Sequence, residues 1–300
     1  MAAAVIAIDW GSTHRRIHVL DAAGHVLASR HDARGVTAAQ PIDHAADMAA
    51  IRAELGDLPI LAAGMIGSAR GWMEVPYLPC PAGVDALAAA VHWVEPGRTG
   101  ILPGLCRGDD ESADVMRGEE VQLLGAVIAG LAPPDGLLCQ PGTHCKWARL
   151  AGGAVADFRT RMTGEIFALL RQHSLLGAMM AGDVADGPAF RDGLADARRG
   201  DLLGALFGVR AAVLRGQRRA EDGAAYASGL LIGTDVAAEG LTPGACVHLL
   251  ADEPLGTLYA AAITAAGADV VRIDAQAAFV AGVAAVFSRL VASLPPNQSG

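Results

Sequence analysis

The fold is decided by the stretch that opens the chain, Val5-Ile6-Ala7-Ile8-Asp9-Trp10-Gly11-Ser12-Thr13. Four apolar residues followed by an acid and a glycine predict a buried strand that ends in a tight turn. Segments 16–21 and 25–30 predict two further strands, joined by the turn Asp21-Ala22-Ala23-Gly24. The chain is therefore expected to begin as a three-stranded β-hairpin meander.

A similar pattern begins about 130 residues later. Gly136-Leu137-Leu138-Cys139-Gln140 predicts a second apolar strand, and the turn Pro141-Gly142-Thr143-His144 follows it. Two more strands are expected at 146–150 and 154–161. A repeat this long is not a solenoid, so it predicts two similar lobes. The alternative is chance, because strand-turn-strand is a common pattern.

The lobe boundary is expected at the break Ala132-Pro133-Pro134-Asp135-Gly136, which gives an N-terminal lobe, 1–132, and a C-terminal lobe, 133–300. The other segments alternate between helix and strand, which predicts an α/β fold. The expected helices are 43–55, 114–131, 165–176, a long stretch 202–239, 255–266 and 275–294, and the expected strands are 58–63, 101–105, 245–250 and 269–273.

Composition excludes several classes of protein. Of the 300 residues, 52% are hydrophobic and 18% charged, which predicts a sizeable core rather than disorder. The net charge of −9, without a Lys/Arg run, argues against a nucleic-acid or membrane partner. Five scattered cysteines without a C-x-x-C pair argue against a disulfide framework or a zinc site. The apolar stretches 121–132 and 277–287 are shorter than the roughly 20 residues of a membrane span, and the N-terminus lacks a basic leader, so a cytoplasmic protein is expected.

The repeated turn suits the binding of phosphate groups. A glycine lets the backbone approach a ligand closely, so that successive N–H groups point at phosphate oxygens. Asp9 is able to hold Mg²⁺ through water, since Mg²⁺ prefers oxygen ligands and keeps its waters. Two such turns facing one another would hold the phosphates of a nucleotide from both sides. The alternative is a polar strand end and turn without function. Neither a P-loop nor a G-x-G-x-x-G motif is present.

Several longer runs resemble a known family. They are 5–13, 64–81, 115–126, Pro141-Gly142-Thr143-His144-Cys145-Lys146-Trp147, 157–165 and 228–233. Together they resemble the 2-dehydro-3-deoxygalactonokinase family, over nearly the whole chain. The resemblance implies two duplicated lobes of the actin-like/hexokinase-like (ribonuclease H-like) ATPase fold around a nucleotide cleft. It also implies transfer of the γ-phosphoryl group of ATP, with Mg²⁺, to the 6-hydroxyl of 2-dehydro-3-deoxygalactonate.

The resemblance further implies roles for residues near the two turns. Glu119, Glu120 and Asp9 are the expected catalytic residues, with Asp9 also holding the metal. The two glutamates resemble the paired glutamates of exopolyphosphatases. The alternative is that they are acids in the first turn of a solvated helix. Asp114 is the second candidate for the general base. The expected phosphate-binding residues are Gly11, Ser12, Thr13, Gly142, Thr143 and His144.

The resemblance also implies which residues contact the sugar acid and which contact adenosine. The sugar acid is expected to contact Gly64, Met65, Gly67, Ser68 and Trp72, with Lys146 and Arg161 as cations for its carboxylate. Adenosine is expected beside Gly229 and Gly233, although helix packing explains these glycines equally well. The segment Asp252-Glu253-Pro254-Leu255 departs from the Gly-Ser-Ser-Leu turn that is usual in the family, which puts the nucleotide contacts there in doubt.

Other activities stay open at this point. They are a kinase for a related acid of the gluconate type, an exopolyphosphatase-like phosphohydrolase, and a non-catalytic nucleotide sensor. The hydrolase is disfavoured because a polyphosphate groove needs a basic stripe, which the sequence lacks. The sensor would require loss of Asp9 or Glu119, and both are present. A homodimer is compatible with the sequence but not required by it.

Overall fold

A computed structural model describes residues 2–38, 42–108 and 113–293. Contacts between α-carbons divide the chain into two compact units. The first comprises Met1–Asp135, Ala148–Phe158 and Ala275–Gly300, and the second comprises Gly136–Trp147 and Arg159–Asp274.

The first unit is built on a six-stranded sheet. Its strands and those of a small neighbouring sheet are β1 (Ala3–Trp10), β2 (Arg15–Asp21), β3 (Val26–Asp32), β4 (Ile60–Gly64), β5 (Leu78–Pro79), β6 (His92–Glu95), β7 (Thr99–Ile101), β8 (Leu105–Cys106) and β9 (Val115–Met116). Its helices are α1 (His44–Leu55), α2 (Val84–Ala89) and α3 (Glu119–Ile128). The strand order is β3-β2-β1-β4-β7-β6 in the large sheet and β5-β8-β9 in the small one.

The opening strand is central to this sheet. Residues 5–8 of β1 are fully buried, and they pair with β2 on one side and β4 on the other. β1 and β4 are parallel, and Trp10 lies opposite Gly64 where both strands end. Since parallel strands end at the same edge of a sheet, the loops that follow β1 and β4 emerge side by side.

The second unit contains most of a five-stranded sheet. The remaining strands are β10 (Gly136–Gln140), β11 (Cys145–Ala151), β12 (Ala154–Arg161), β13 (Cys246–Leu250) and β14 (Asp269–Ile273). The helices are α4 (Thr163–His173), α5 (Pro188–Ala197), α6 (Leu202–Leu214), α7 (Ala220–Ala237) and α8 (Leu255–Ala265). The order β12-β11-β10-β13-β14 repeats the order β3-β2-β1-β4-β7 of the first sheet. The predicted α/β class and the duplication are therefore confirmed.

Three predicted elements differ from the structure. The helix expected from 114 begins at Glu119, because Val115 and Met116 form β9 and Gly118 has a φ of 105°. The expected strand 101–105 is two short strands, β7 and β8. The long helix expected over 202–239 is two helices, α6 and α7, since Gly216 has a φ of 67° that a continuing helix does not allow. Helix α5 was not predicted.

The last helix, α9 (Ala275–Ser293), belongs to the first unit. It packs closely on α3, since a Cβ on Gly125 would collide with the carbonyl of Ala278, and one on Gly282 with the carbonyl of Val121. The division by contacts thus differs from the predicted lobe 133–300, which included this helix. By length and composition alone, α9 is also apolar enough to cross a membrane. The close packing of α9 on α3 through Gly125 and Gly282 is typical of a helix in a protein core.

Candidate active site

The loop after β1 is hydrogen-bonded to the segment that follows β3. The backbone carbonyls of residues 11–13 accept hydrogen bonds from the N–H groups of residues 35–37, at 2.9–3.2 Å. A Cβ on Gly35 would collide with the backbone of this loop. Within the described part of the chain, the N–H groups of Ser12 and Thr13 donate to no protein acceptor, and both residues are exposed. The loop therefore offers backbone donors to an anionic ligand.

Two carboxylates lie near each other beside this loop. The side chain of Asp9 is 18% exposed, and Nη1 of Arg16 lies 3.6 Å from its Oδ2. Burial raises the pKa of Asp9 above its usual value; Arg16 lowers it and the negative charge of Glu119 raises it further. Asp9 and Glu119 are therefore close enough to repel one another.

Glu119 and Glu120 begin α3 but occupy different environments. Glu119 is half-buried, and its Oε2 accepts the backbone N–H of Arg117 at 3.0 Å. Glu120 is completely buried, and its carboxyl accepts the N–H of Gly118. Burial, aided by the charge of Glu119, raises the pKa of Glu120 to about 8. At neutral pH Glu120 is therefore largely protonated, and the reading of both glutamates as solvated first-turn acids is wrong.

The start of α3 is anchored to the end of β4. Gly118 has a φ of 105°, and a Cβ there would lie 3.0 Å from the α-carbon of Gly64. Gly64 has a φ of 93°, and a Cβ there would lie 2.7 Å from the carbonyl oxygen of Trp10. The two glycines thus bring the ends of β1 and β4 against the residue that precedes Glu119.

The loop after β4 carries the predicted sugar-acid residues. Met65 is half-buried, and its carbonyl accepts the hydroxyl of Ser68 at 2.7 Å. The ring of Trp72 stacks on His44, with centroids 5.8 Å apart. Gly67 is buried, and a Cβ there would lie 2.9 Å from Nη1 of Arg117.

Arg117 is a residue of this region that the sequence analysis missed. It is 9% exposed and lies over the ring of Tyr77, 4.2 Å from its centroid. Its Nη2 donates to the carbonyl of Val75 at 2.6 Å, so it connects the loop after β4 to the start of α3. Arg117 directly precedes Gly118-Glu119-Glu120 in the sequence, and this position could have indicated that it belongs to the same region.

In the second unit, the loop after β10 lies against the start of α4. A Cβ on Gly164 would collide with the carbonyl of Gly142, and the N–H of Glu165 donates to the carbonyl of Thr143 at 2.9 Å. Nε2 of His144 lies 2.6 Å from Oε2 of Glu165. Gly142, Thr143 and His144 are therefore grouped at a helix N-terminus, where backbone N–H groups favour anions.

An apolar pocket of about 190 Å³ opens beside Gly142. Its other walls come from α4, α7, α8 and the residue before α8: Thr163, Gly164, Phe167, Ser228, Leu231, Ile232, Pro254, Leu255 and Tyr259. A small, mostly apolar pocket next to an anion-binding turn has the features of a nucleoside site.

Gly229 and Gly233 face away from this pocket. A Cβ on Gly229 would collide with the carbonyl of Phe190, and one on Gly233 would lie 2.7 Å from Cβ of Ala197. Both therefore serve the close packing of α7 on α5. The structure therefore favours the helix-packing interpretation of these glycines over a contact with adenosine. The α7 residues that line the pocket are their neighbours Ser228, Leu231 and Ile232.

The two cations predicted for the substrate carboxylate lie in the second unit and are already engaged. Lys146 is 4% exposed on β11. Nη1 of Arg161 lies 2.6 Å from Glu239 and 3.3 Å from Asp235. Nη1 of Arg161 is thus held by two carboxylates, and the side chain is 23% exposed.

The segment that departs from the family pattern forms part of the pocket wall. Pro254 and Leu255 line the pocket, whereas Glu253 is exposed and lies 2.6 Å from Arg272 and 2.7 Å from the hydroxyl of Thr257. Glu253 thus contacts α8 and β14, while Pro254 and Leu255 contribute to the pocket.

Carboxylates are the groups here that could hold a metal ion. In the three described ranges, no cluster of three or more His, Cys, Asp or Glu side chains is arranged to hold a metal ion. Mg²⁺ does not need such a cluster, because one or two carboxylates, water and substrate phosphates suffice. Asp9, 18% exposed at the end of β1, supplies one such carboxylate, so the residues present fit Mg²⁺.

Comparison with known proteins shows the family of this chain. The family model for 2-keto-3-deoxy-galactonokinase matches residues 9–286. The 2-dehydro-3-deoxygalactonokinase of Escherichia coli (strain K12) is 38% identical over 294 residues, covering 95% of this chain and 98% of the relative.

Solved structures give the same result. A candidate 2-dehydro-3-deoxygalactonokinase from Sinorhizobium meliloti matches with a TM-score of 0.87 and 36% identity, covering 99% of both chains. The activator of 2-hydroxyisocaproyl-CoA dehydratase from Clostridium difficile, solved with ADPNP, shares the fold at a TM-score of 0.50 and 12% identity, also covering 99% of both chains. From the family match and the identity along nearly its whole length, the chain belongs to the 2-keto-3-deoxy-galactonokinase family.

Proposed function

We propose that this protein transfers the γ-phosphoryl group of ATP to the 6-hydroxyl of 2-dehydro-3-deoxygalactonate. The observation that carries the proposal is the packing of Gly118 on Gly64 and of Gly64 on Trp10, which brings the start of α3 to the end of β1 beside a loop whose N–H groups are open to an anion. Phosphoryl transfer needs little more than positioning, neutralisation of charge and one group that accepts the hydroxyl proton. Family membership supports the substrate pair.

Glu119 is the proposed general base. It is half-buried, whereas Glu120 is completely buried with a pKa raised to about 8, which leaves Glu120 largely protonated at neutral pH. The 6-hydroxyl oxygen forms a bond to the γ-phosphorus, the bond from that phosphorus to the β,γ-bridging oxygen breaks, and the hydroxyl proton passes to Glu119. Glu120 holds the turn at Gly118 and so positions Glu119.

Each of the two glycine turns, taken by itself, is proposed as a phosphate-binding element. Ser12 and Thr13 offer backbone N–H groups in the first unit, and Gly142 and Thr143 lie at the N-terminus of α4 in the second. Asp9 would hold Mg²⁺, and the bound ion would supply neutralisation of charge on the phosphates. The adenosine moiety is assigned to the apolar pocket of about 190 Å³ beside Gly142.

The sugar acid is proposed to lie against the loop after β4. Gly64 and Gly67 keep this loop close to Trp10 and Arg117, and Trp72 presents an aromatic face against His44. A gluconate-type acid differs from the galactonate-type acid in the stereochemistry at one hydroxyl group. The assay below, with a panel of sugar acids, tells which of the two is the substrate.

We propose a cytoplasmic homodimer as the working form. The outer face of α6 is apolar, with Leu203 80% exposed and Phe207 67% exposed. In an antiparallel pair of α6 helices, Asp201 of one copy lies opposite Arg215 of the other, so the face is complementary to itself. Light scattering is expected to give twice the chain mass for the wild type and the single mass for Leu203→Ser/Phe207→Ser; a monomeric wild type contradicts the dimer.

The activity is tested by ADP release with a panel of 2-keto-3-deoxy sugar acids. We expect release that depends on 2-dehydro-3-deoxygalactonate, with losses of about 100-fold or more in kcat for Glu119→Gln and Asp9→Asn and an unchanged melting temperature. Release without acceptor, or loss of phosphate from polyphosphate, would instead indicate a hydrolase. Near-normal rates in either variant would remove that residue from the mechanism.

A further inference from the structure

Asp235 of α7 collects four donors from four different elements. Its Oδ1 accepts the indole N–H of Trp147 at 2.8 Å and Nη1 of Arg161 at 3.3 Å. Its Oδ2 accepts the hydroxyl of Tyr259 at 2.6 Å and that of Thr163 at 2.8 Å. The residue is 3% exposed, so these bonds are made away from water, where each has a large effect.

Two of the four donors line the proposed nucleotide site, and the other two lie on strands that adjoin it in sequence. Thr163 and Tyr259 line the apolar pocket, on α4 and α8 respectively. Trp147 lies on β11, the strand that follows the loop Gly142–His144, and Arg161 ends β12 directly before α4. Asp235 itself lies on α7, one turn after the pocket residues Leu231 and Ile232.

The start of α4 depends on this network. Its N-cap residue, Met162, makes no side-chain capping bond, so the hydroxyl of Thr163 is not a cap but a donor to Asp235. Because Gly164 lies against Gly142, any shift of this first turn changes both the phosphate turn and the pocket. Burial, with the charge of Asp235 contributing, raises the pKa of Tyr259 well above its ordinary value, which keeps its hydroxyl a neutral donor.

We propose that Asp235 is a positioning residue for nucleotide binding, which fixes the N-terminus of α4 and the ring of Tyr259 around the nucleoside pocket. The inference rests on the proposed ATP site in the second unit. Asp235 does not contact the nucleotide; it acts through Thr163 and Tyr259. Its loss therefore weakens ATP binding more than sugar-acid binding or the chemical step.

Asp235→Asn tests this, because an asparagine keeps one acceptor oxygen and leaves at least two of the four donors without an acceptor. We expect the KM for ATP and the Kd of a non-hydrolysable ATP analogue, measured by calorimetry, to rise about tenfold or more. The KM for the sugar acid and kcat are expected to change less than threefold. Asp235→Glu, which keeps both acceptor oxygens, is expected to recover part of the ATP affinity.

Asp196→Asn is the matched control. Asp196 also accepts a tyrosine hydroxyl, that of Tyr226 at 2.7 Å, in the same unit but outside the pocket wall. This variant is expected to lose less stability than Asp235→Asn, because Asp196 is half-buried, and its KM for ATP is expected to stay at the wild-type value. If Asp235→Asn does not fold, Thr163→Val, which removes one donor and keeps the shape of the side chain, is expected to raise the KM for ATP alone.

The outcomes separate the two proposals. If the wild type binds no ATP analogue, the proposed function fails. If the wild type binds it and Asp235→Asn or its substitute, Thr163→Val, lowers the melting temperature without raising the KM for ATP, the positioning role of Asp235 is overturned. Equal increases in both KM values would also overturn it, because they would indicate a general structural effect.

Discussion

Both carboxyl oxygens of Glu120 lie within hydrogen-bonding distance of the backbone N–H of Gly118, at 2.7 and 2.9 Å. Glu120 is fully buried at the first turn of α3, and Gly118 lies against Gly64 at the end of β4. The buried acid thus closes the turn that presents Glu119.

Glu120 makes the stability of the protein depend on pH. Burial raises its pKa from 4.5 to about 8, so the folded state binds the proton more tightly than the unfolded state. The wild type is therefore expected to lose about 3–5 kcal/mol of unfolding free energy relative to Glu120→Gln as pH rises from about 4.5 to about 8, and no more above that. Denaturant unfolding of both proteins from pH 5 to pH 9 measures the difference. A difference that does not change with pH would refute the raised pKa.

The approach of Gly118 to Gly64 predicts a loss of activity on Gly118→Ala. A Cβ at this position meets the α-carbon of Gly64 at 3.0 Å, and φ is 105°, so the start of α3 and with it Glu119 must move. We expect kcat to fall at least tenfold, together with a loss of about 2 kcal/mol in stability. Gly130→Ala is the control, since Gly130 also has a positive φ, 69°, but nothing lies within 4 Å of its Cβ position. Equal effects of the two substitutions on kcat would argue against a role for this contact.

The contact between Gly164 and Gly142 predicts a selective effect on ATP. Gly164→Ala forces α4 away from the phosphate turn, because its Cβ would collide with the carbonyl of Gly142. Steady-state kinetics are expected to show a rise of about tenfold or more in the KM for ATP. Gly187→Ala, at the N-cap of α5 with open space around its Cβ position, is expected to leave this KM unchanged. A KM for ATP of Gly164→Ala equal to that of the wild type would contradict a role of this contact in ATP binding.

The packing of α9 on α3 predicts a large stability effect at Gly282. A Cβ there collides with the carbonyl of Val121, so Gly282→Ala is expected to cost about 2 kcal/mol or more. Gly208→Ala, in the middle of α6 with nothing within 4 Å of its Cβ position, is expected to raise stability by about 0.5–1 kcal/mol through helix propensity. Thermal unfolding of both variants gives the comparison; a neutral Gly282→Ala would contradict the close packing.

The parts of the fold that were predictable depend on local patterns. The apolar run 5–8 followed by Asp9 and Gly11 predicted β1 and its turn, and the same pattern at 136–144 predicted the second sheet. The start of α3 was not predictable in the same way. Asp114 is typical of a first helical turn, but Val115 and Met116 pair with β8 and Gly118 lies against Gly64, and these contacts with segments distant in sequence move the start to Glu119.

The candidate site was predictable only as far as its loops. Gly229 and Gly233 were found on a helix, but which helix face meets a neighbour depends on α5, for which no helix was predicted. Asp235 binds groups 24 to 88 positions away along the chain, so no local pattern indicated its burial. Arg161 likewise has the residue type of a carboxylate ligand, but its partners in the structure are Asp235 and Glu239.

The central claim is transfer of the γ-phosphoryl group from ATP to a sugar-acid hydroxyl. It is tested most directly by ³¹P NMR of a reaction that contains the wild-type protein, ATP, Mg²⁺ and 2-dehydro-3-deoxygalactonate. We expect the γ-phosphate signal to be replaced by a phosphomonoester signal that is split by the two protons on C6, with ADP formed in equal amount. Inorganic phosphate as the sole new phosphorus species besides ADP, or an unchanged ATP spectrum, would contradict the account.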